Sequence, residues 1–309
     1  MISIILVVVG VALVLWGADR LTDGATALAQ RMNVPQIVIG LTVVAMGTSM
    51  PEFFVSMVSA IKGTPDLAVG NVVGSNIFNT MFIVGISAAV APMAISRSAV
   101  RKDIPFAVVA TLMLSVMCMD GNISRTDAGI LFALFIVFMV YTLRLARKGA
   151  VDVEEKKKED LSVVMSSVFI IVGLACLIGG SNLFVNGASA IAKALNVSDA
   201  VIGLTVVAMG TSLPELATSV VAARKGRSAM AMGNVIGSNV FNILMILGVT
   251  GMITPMQIEG ITMTDMGVML VGMVLVWMFS YTKYKVARWE GFVLAAMFVG
   301  YMAWLVSNI

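Results

Sequence analysis

Two glutamates, Glu52 and Glu215, stand near the middle of long apolar runs. A charged carboxylate at the centre of a bilayer costs several kcal/mol on insertion scales, so its position needs a chemical reason. Each ends a string that recurs within the chain: Gly-Thr-Ser-Met-Pro-Glu at 47–52 and Gly-Thr-Ser-Leu-Pro-Glu at 210–215. Pro51 has no N–H and its ring displaces the carbonyl of Gly47, so the helix must break there. Pro214 imposes the same break. A break at mid-membrane is tolerated only against protein or a hydrated cavity. The glutamate then falls in the first turn of the next half-helix, where the dipole favours its ionised form. Thr48, Ser49, Thr211 and Ser212 add hydroxyls, and the end of the first half-helix adds carbonyls expected to be bare.

More oxygen follows. Asn71, Ser75 and Asn79 are spaced four apart and share one helical face, as do Asn234, Ser238 and Asn242. Gly70 and Gly74, with Gly233 and Gly237, form Gly-x-x-x-Gly pairs that permit close helix approach. All these donors are hard oxygens, and the chain has no histidine. The set suits Ca²⁺, Na⁺, Mg²⁺ or Mn²⁺ rather than zinc or copper. Two ionised glutamates neutralise one divalent cation, and two or more monovalent cations could use the same oxygens. A site that takes either load, never both, is the basis of an antiporter. Protons should compete for the same paired carboxylates at acid pH.

The elements that must position these groups are legible in the composition. Of 309 residues, 59% are hydrophobic and 12% charged, with a mean hydropathy of +1.01. A soluble domain is roughly 45–50% apolar and about 25% charged, so a water-soluble globule, a disordered chain and a disulfide-rich secreted domain are excluded. Cys118 and Cys176 lie in apolar runs and are expected to be packing residues. The basic residues form no patch interleaved with aromatics, so no nucleic acid partner is implied. The N-terminal run reads as a retained span rather than a signal peptide.

Apolar blocks at 1–19, 36–62, 66–92, 103–119 and 125–145 precede the polar stretch Asp152–Asp160, and blocks at 162–184, 199–225, 229–254, 264–281 and 287–306 follow it. The runs are continuous rather than alternating, which predicts an all-α membrane protein of ten transmembrane helices. Counted on that map, the loops on the side of the termini hold 3 basic residues and the other side 17. The positive-inside rule then puts both termini outside and the 147–163 linker in the cytoplasm.

The chain repeats itself. Gly40–Glu52 recurs as Gly203–Glu215 with 12 of 13 residues identical, and Gly70–Asn79 as Gly233–Asn242 with 8 of 10, both at an offset of 163. The expected organisation is a first five-helix repeat at 1–146 (its motif region 36–92), the linker at 147–163, and a second repeat at 164–309 (motif region 199–255). Five spans per repeat is an odd number, so the second copy must be inverted, with its broken helices meeting the first at the midplane. Inverted repeats are a mark of secondary transporters.

On these motifs the sequence resembles the calcium/cation antiporter superfamily, in particular its sodium/calcium exchangers of prokaryotic type, across both halves. The resemblance implies four cation sites between the second, third, seventh and eighth spans. It implies Glu52 and Glu215 as central ligands with Thr48, Ser49, Thr211 and Ser212, joined by Ser75, Asn79, Ser238 and Asn242 and by the carbonyls of Ala45 and Ala208. It makes the first and sixth spans a sliding pair. The transported ions would be Ca²⁺ and Na⁺, with membrane lipid as surroundings and no cofactor or protein partner.

The proton-coupled branch resembles Gly-Asn-x-x-Glu where this chain has Gly70-Asn71-Val72-Val73-Gly74. The potassium-dependent branch carries an aspartate where this chain has Asn242. The large regulatory loop of animal exchangers is absent. The reading is a Na⁺/Ca²⁺ antiporter, not an enzyme. Its rivals are a Ca²⁺ or Mn²⁺/H⁺ or a Mg²⁺/Na⁺ antiporter of the same build, a cation channel and, more remotely, an intramembrane hydrolase.

Overall fold

Inside a bilayer no water can satisfy a backbone, so each apolar block must close its N–H and C=O groups along a helix. The computed structural model of the chain describes residues 2–147, 161–195, 206 and 208–307, and these are almost entirely helical. Helix α1 is Ile2–Arg31. Helices α2 (Gln36–Thr48) and α3 (Met50–Ile61) form one path bent by 47°. Then come α4 (Pro65–Val90) and α5 (Ala99–Asp120), α6 (Arg125–Arg147) and α7 (Val163–Ala194). Short α8 (Ala208–Thr211) and α9 (Leu213–Arg224) follow, then α10 (Ser228–Ile253) and α11 (Met263–Tyr281), and α12 (Arg288–Ser307). Two-residue strands β1 (Met93–Ala94), β2 (Asn122–Ile123), β3 (Met256–Gln257) and β4 (Lys285–Val286) lie in the connections; β1 pairs antiparallel with β4 and β2 with β3.

Among the described residues seven helices are long and apolar enough to cross a membrane, or eight with the bent α2–α3 pair. That is fewer than the ten expected. The difference falls on α12, which has 20 residues but is not among the seven, and on the block 199–225, of which residues 199–205 and 207 lie outside the described residues. The 147–163 linker is described only at its two ends.

Element boundaries repeat with the sequence: α3 and α9, α4 and α10, β1 and β3, and β2 and β4 each start 163 residues apart. Helices α4 and α10 are the interior, each 78% buried over its apolar window, against 22% for α1 and 28% for α7. Helices α1 and α7 form an antiparallel pair at the edge. A Cβ added at Gly10, Gly17 or Gly24 would stand 2.7, 2.7 and 2.6 Å from the carbonyls of Gly180, Gly173 and Ser166. Small residues every seventh position thus bring two backbones into direct contact.

Candidate functional site

Both proline-glutamate strings do break their helices. Helix α2 ends at Thr48, Ser49 leaves helical geometry (φ −84°, ψ 10°), and α3 restarts with Pro51 and Glu52 in its first turn. Ser212 (φ −90°, ψ 8°) does the same between α8 and α9, ahead of Pro214 and Glu215. The carbonyl of Ala45 is not bare as expected: it accepts the Ser49 N–H at 3.0 Å and the Thr48 hydroxyl at 3.3 Å. The ring of Pro51 instead deprives Gly47 of its donor.

The two breaks meet. Ser49 Oγ donates to Glu215 Oε1 at 2.7 Å, and Ser212 Oγ to Glu52 Oε1 at 2.8 Å. Each serine therefore serves the glutamate of the opposite half. Ser212 Oγ also lies 3.1 Å from Ser75 Oγ of α4. Thr48 and Ser238 lie near the Glu215 carboxylate and Thr211 near that of Glu52, whose charge Glu215 opposes; Ser238 Oγ itself makes no hydrogen bond among the described residues. Both glutamates are 1% exposed. Among the described residues no ion pair reaches either one, and no three Asp, Glu or Cys side chains gather around a common point. Any cation held here relies on two carboxylates plus neutral oxygens.

The spacing-four faces divide in use. Asn71 Nδ2 donates to the Glu52 backbone carbonyl at 3.1 Å and to Ser56 Oγ at 2.9 Å, and Asn234 donates to the Glu215 carbonyl at 3.3 Å and Ser219 Oγ at 2.9 Å. These asparagines brace the half-helix that carries the glutamate. Asn79 and Asn242 stand at the start of π-helical segments, Phe78–Ile83 and Phe241–Ile246, a widened turn common at functional sites.

Gly233 and Gly237 meet α2 closely: a Cβ there would lie 2.6 Å from Ile37 O and 2.7 Å from Leu41 and Ala45. Their counterparts differ, since Gly70 meets only Ile261 at 3.2 Å and Gly74 meets no described residue within 4 Å. Cys118 and Cys176 are free, the first buried.

Among the candidate ligands, five buried side-chain oxygens have no hydrogen-bond partner among the described residues: Glu52 Oε2 and Glu215 Oε2 on the broken helices, Asn79 Oδ1 on α4, and Ser238 Oγ and Asn242 Oδ1 on α10. Buried acceptors are ordinarily satisfied. Carboxylate, amide and hydroxyl oxygens left open on the two broken helices and on α4 and α10 are ligands of the kind a hard cation takes.

Some polar residues were not singled out by sequence. Asn76 and Asn239, each 1% exposed, lie inside the repeated Gly-Ser-Asn strings; their identity in both copies was the available signal. Three further buried acids, Asp103, Asp265 and Glu290, lie toward helix ends. Asp265 closes a capping box with Thr262 and accepts from Tyr301 Oη at 2.7 Å, and Glu290 accepts from the Ala287 N–H at 2.7 Å. Those two are structural caps.

The chain as a whole is similar to known proteins. The profile of a family described as sodium/calcium exchanger protein matches residues 2–144 and 165–307. The chain is 37% identical to a putative antiporter, CaxA, of Alkalimonas amylolytica over the whole of both chains. It is 30% identical to the sodium/calcium exchanger MaX1 of Methanosarcina acetivorans over 97% of each. A solved structure of the sodium-calcium exchanger NCX_Mj, soaked with Na⁺ and Sr²⁺, superposes with a TM-score of 0.87 at 33% identity over 98% of both chains.

Proposed function

We propose, since this chain belongs to the sodium/calcium exchanger protein family, that it exchanges Na⁺ for Ca²⁺ by alternating access, both ions competing for the oxygens around Glu52 and Glu215. Family membership makes it a multi-pass membrane antiporter of cations rather than a catalyst. The finer reading is carried by one observation. Across two broken helices, each half donates a serine to the other half's glutamate, and Glu52 Oε2, Glu215 Oε2, Asn79 Oδ1 and Asn242 Oδ1 are left without partners.

One Ca²⁺ balances the two carboxylates; Na⁺ ions can take the same oxygens, and the two loads exclude each other because they share the same charges. The hydroxyls of Thr48, Ser49, Ser75, Thr211, Ser212 and Ser238 and the Ala208 carbonyl complete the shell in this reading; the Ala45 carbonyl joins it only when the Thr48 hydroxyl turns from it to the cation. A proton on either glutamate removes a charge the divalent ion needs. Apparent Ca²⁺ affinity should therefore weaken as pH falls, measured by Ca²⁺ titration at acid and alkaline pH.

The architecture we infer is ten spans in two inverted repeats, 1–146 and 164–309, with the termini outside and the linker cytoplasmic. The strand pairing supports inversion. One span, α5, separates β1 from β2, so these lie at opposite faces. Pairing of β1 with β4 and of β2 with β3 then puts the equivalent strands β1 and β3 at opposite faces. The small-residue seam between α1 and α7 suits a pair that slides as a unit.

The test is uptake of radioactive Ca²⁺ by Na⁺-loaded proteoliposomes diluted into Na⁺-free buffer. Uptake that needs the outward Na⁺ gradient is expected. Uptake driven by a proton gradient alone would transfer the protein to the proton-coupled rival.

A further inference from the structure

Four amides sit together between α4 and α10. Asn76, Asn79 and Asn239 are each 1% exposed and Asn242 is fully buried. They pair across the halves: Asn79 Nδ2 donates to Asn239 Oδ1 and Asn242 Nδ2 to Asn76 Oδ1, both at 3.0 Å. What remains unpartnered is the oxygen of Asn79 and the oxygen of Asn242.

A carboxylate presents oxygen whichever way its terminal bond turns. An amide does not, because a half-turn exchanges its oxygen for an NH₂ group. An asparagine is a cation ligand in one of its two orientations and repels the cation in the other. Each of these two asparagines therefore needs something to hold it the right way round.

We propose that Asn76 and Asn239 are positioning residues, each fixing the ligand asparagine of the opposite half so that its carbonyl oxygen is open to the transported cation. The assignment rests on the exchanger reading above. In the observed orientation the NH₂ of Asn79 is consumed by Asn239 Oδ1. With Asn239 held as it stands, turning Asn79 over would set Asn79 Oδ1 against Asn239 Oδ1 and aim two donors at the cation, so both contacts oppose the flip. The same holds for Asn242 against Asn76.

Asn76 is itself anchored, since its Nδ2 donates to the Asn239 backbone carbonyl at 3.3 Å and Thr80 Oγ1 donates to its own backbone carbonyl at 2.8 Å. Asn239 Nδ2 has no partner, so only its oxygen is used. The role belongs to the acceptor atom and not to the amide as a whole. Because the pairing is crossed, a defect in the second half should damage a ligand of the first.

The experiment is a double-mutant cycle on the full-length protein. Apparent Ca²⁺ affinity is read by cation-dependent thermal stabilisation in detergent, beside Na⁺-driven Ca²⁺ uptake in liposomes. Asn239→Leu should weaken Ca²⁺ binding roughly tenfold, the scale of one lost hydrogen bond in a buried site. In an Asn79→Asp background, where residue 79 offers oxygen in either orientation, Asn239→Leu should change affinity by less than about twofold. Asn239→Asp keeps the acceptor and should bind Ca²⁺ at least as tightly as the wild type.

An equal loss in both backgrounds would reduce Asn239 to a packing residue and overturn the proposal, as would a tenfold loss in Asn239→Asp. That last variant keeps the test decisive should Asn239→Leu not fold. Failure of the exchanger reading shows elsewhere, as a wild-type protein without Na⁺-driven Ca²⁺ uptake. The thermal cycle, repeated with Mn²⁺ and Na⁺, still reads the positioning role in that event.

Discussion

Around the midplane a contact in one half is matched in the other: Ser49 to Glu215 and Ser212 to Glu52, Asn71 to Ser56 and Asn234 to Ser219, Asn79 to Asn239 and Asn242 to Asn76. The far end of α1 follows another rule. There Asp23 Oδ1 takes both Lys225 Nζ and Arg227 Nη1 at 2.7 Å, and Asp19 takes Lys225 Nζ at 2.6 Å, tying α1 to the turn between α9 and α10. The residues at the 163 offset are Asn182 for Asp19, Asn186 for Asp23, Lys62 for Lys225 and Thr64 for Arg227. No ion pair can form among those side chains. In the proposed exchange the site is filled from each face in turn and offers the same oxygens to both, which its matched contacts would serve. In the alternating access proposed above, an ion cluster that forms at these positions and not at their offset partners would favour one access state over the other.

Breaking the symmetric side should have the largest effect. Glu52→Gln and Glu215→Gln each remove one charge of the pair, an expected loss of about 3–5 kcal/mol in Ca²⁺ binding, or more than a hundredfold. The two losses should agree within about tenfold in the liposome assay; a variant that still transports would contradict the equivalence. The serines come next. Ser49→Ala and Ser212→Ala each delete a hydrogen bond to a charged group, worth about 1.5–3 kcal/mol. Ca²⁺ titration should find Ser212→Ala the more damaging, because Ser75 also lies against that hydroxyl.

The seam between α1 and α7 offers a third test. Gly17→Val drives a side chain into the Gly173 carbonyl, 2.7 Å from the new Cβ, at an expected cost of about 1–3 kcal/mol. Thermal denaturation should show it, whereas Gly267→Ala, with no described residue within 4 Å, should stay within about 0.5 kcal/mol. The smallest effect belongs to the asymmetric flank. Asp23→Asn breaks two pairs that are partly exposed, so about 1 kcal/mol is the expected loss. Asn186→Ala, the same position in the other half, should be silent. Equal effects in those two variants would remove the contrast between midplane and flank.

Much of this protein was legible without coordinates. An apolar run has no choice but helix in lipid, and a proline without an N–H must interrupt it. A repeat at constant offset is a property of the string alone. The two breaks, Glu52 and Glu215 in their first turns, and the polar faces of α4 and α10 follow from those local rules.

What the string could not settle is which residue faces which. The offset pairs Asn71 with Asn234, and each spends its NH₂ on its own half, while Ser49 and Asn79 reach into the other and Asn234 Oδ1 takes the Thr48 hydroxyl across the halves at 3.3 Å. The string likewise offered bare carbonyls at the end of α2, and the Ala45 carbonyl proved occupied by Ser49 and Thr48. Asn76 and Asn239 were visible only as parts of a motif, because an amide's role depends on what meets its oxygen and what meets its NH₂. The ion cluster of Asp19, Asp23, Lys225 and Arg227 joins residues about two hundred positions apart. Residue types and spacing thus determined the helices, the breaks and the chemical class of ligand. Only the tertiary structure decided the crossed pairing and the one-sided fastening, because a hydrogen bond or ion pair is set by separation in space, over a few ångströms, and not by distance along the chain.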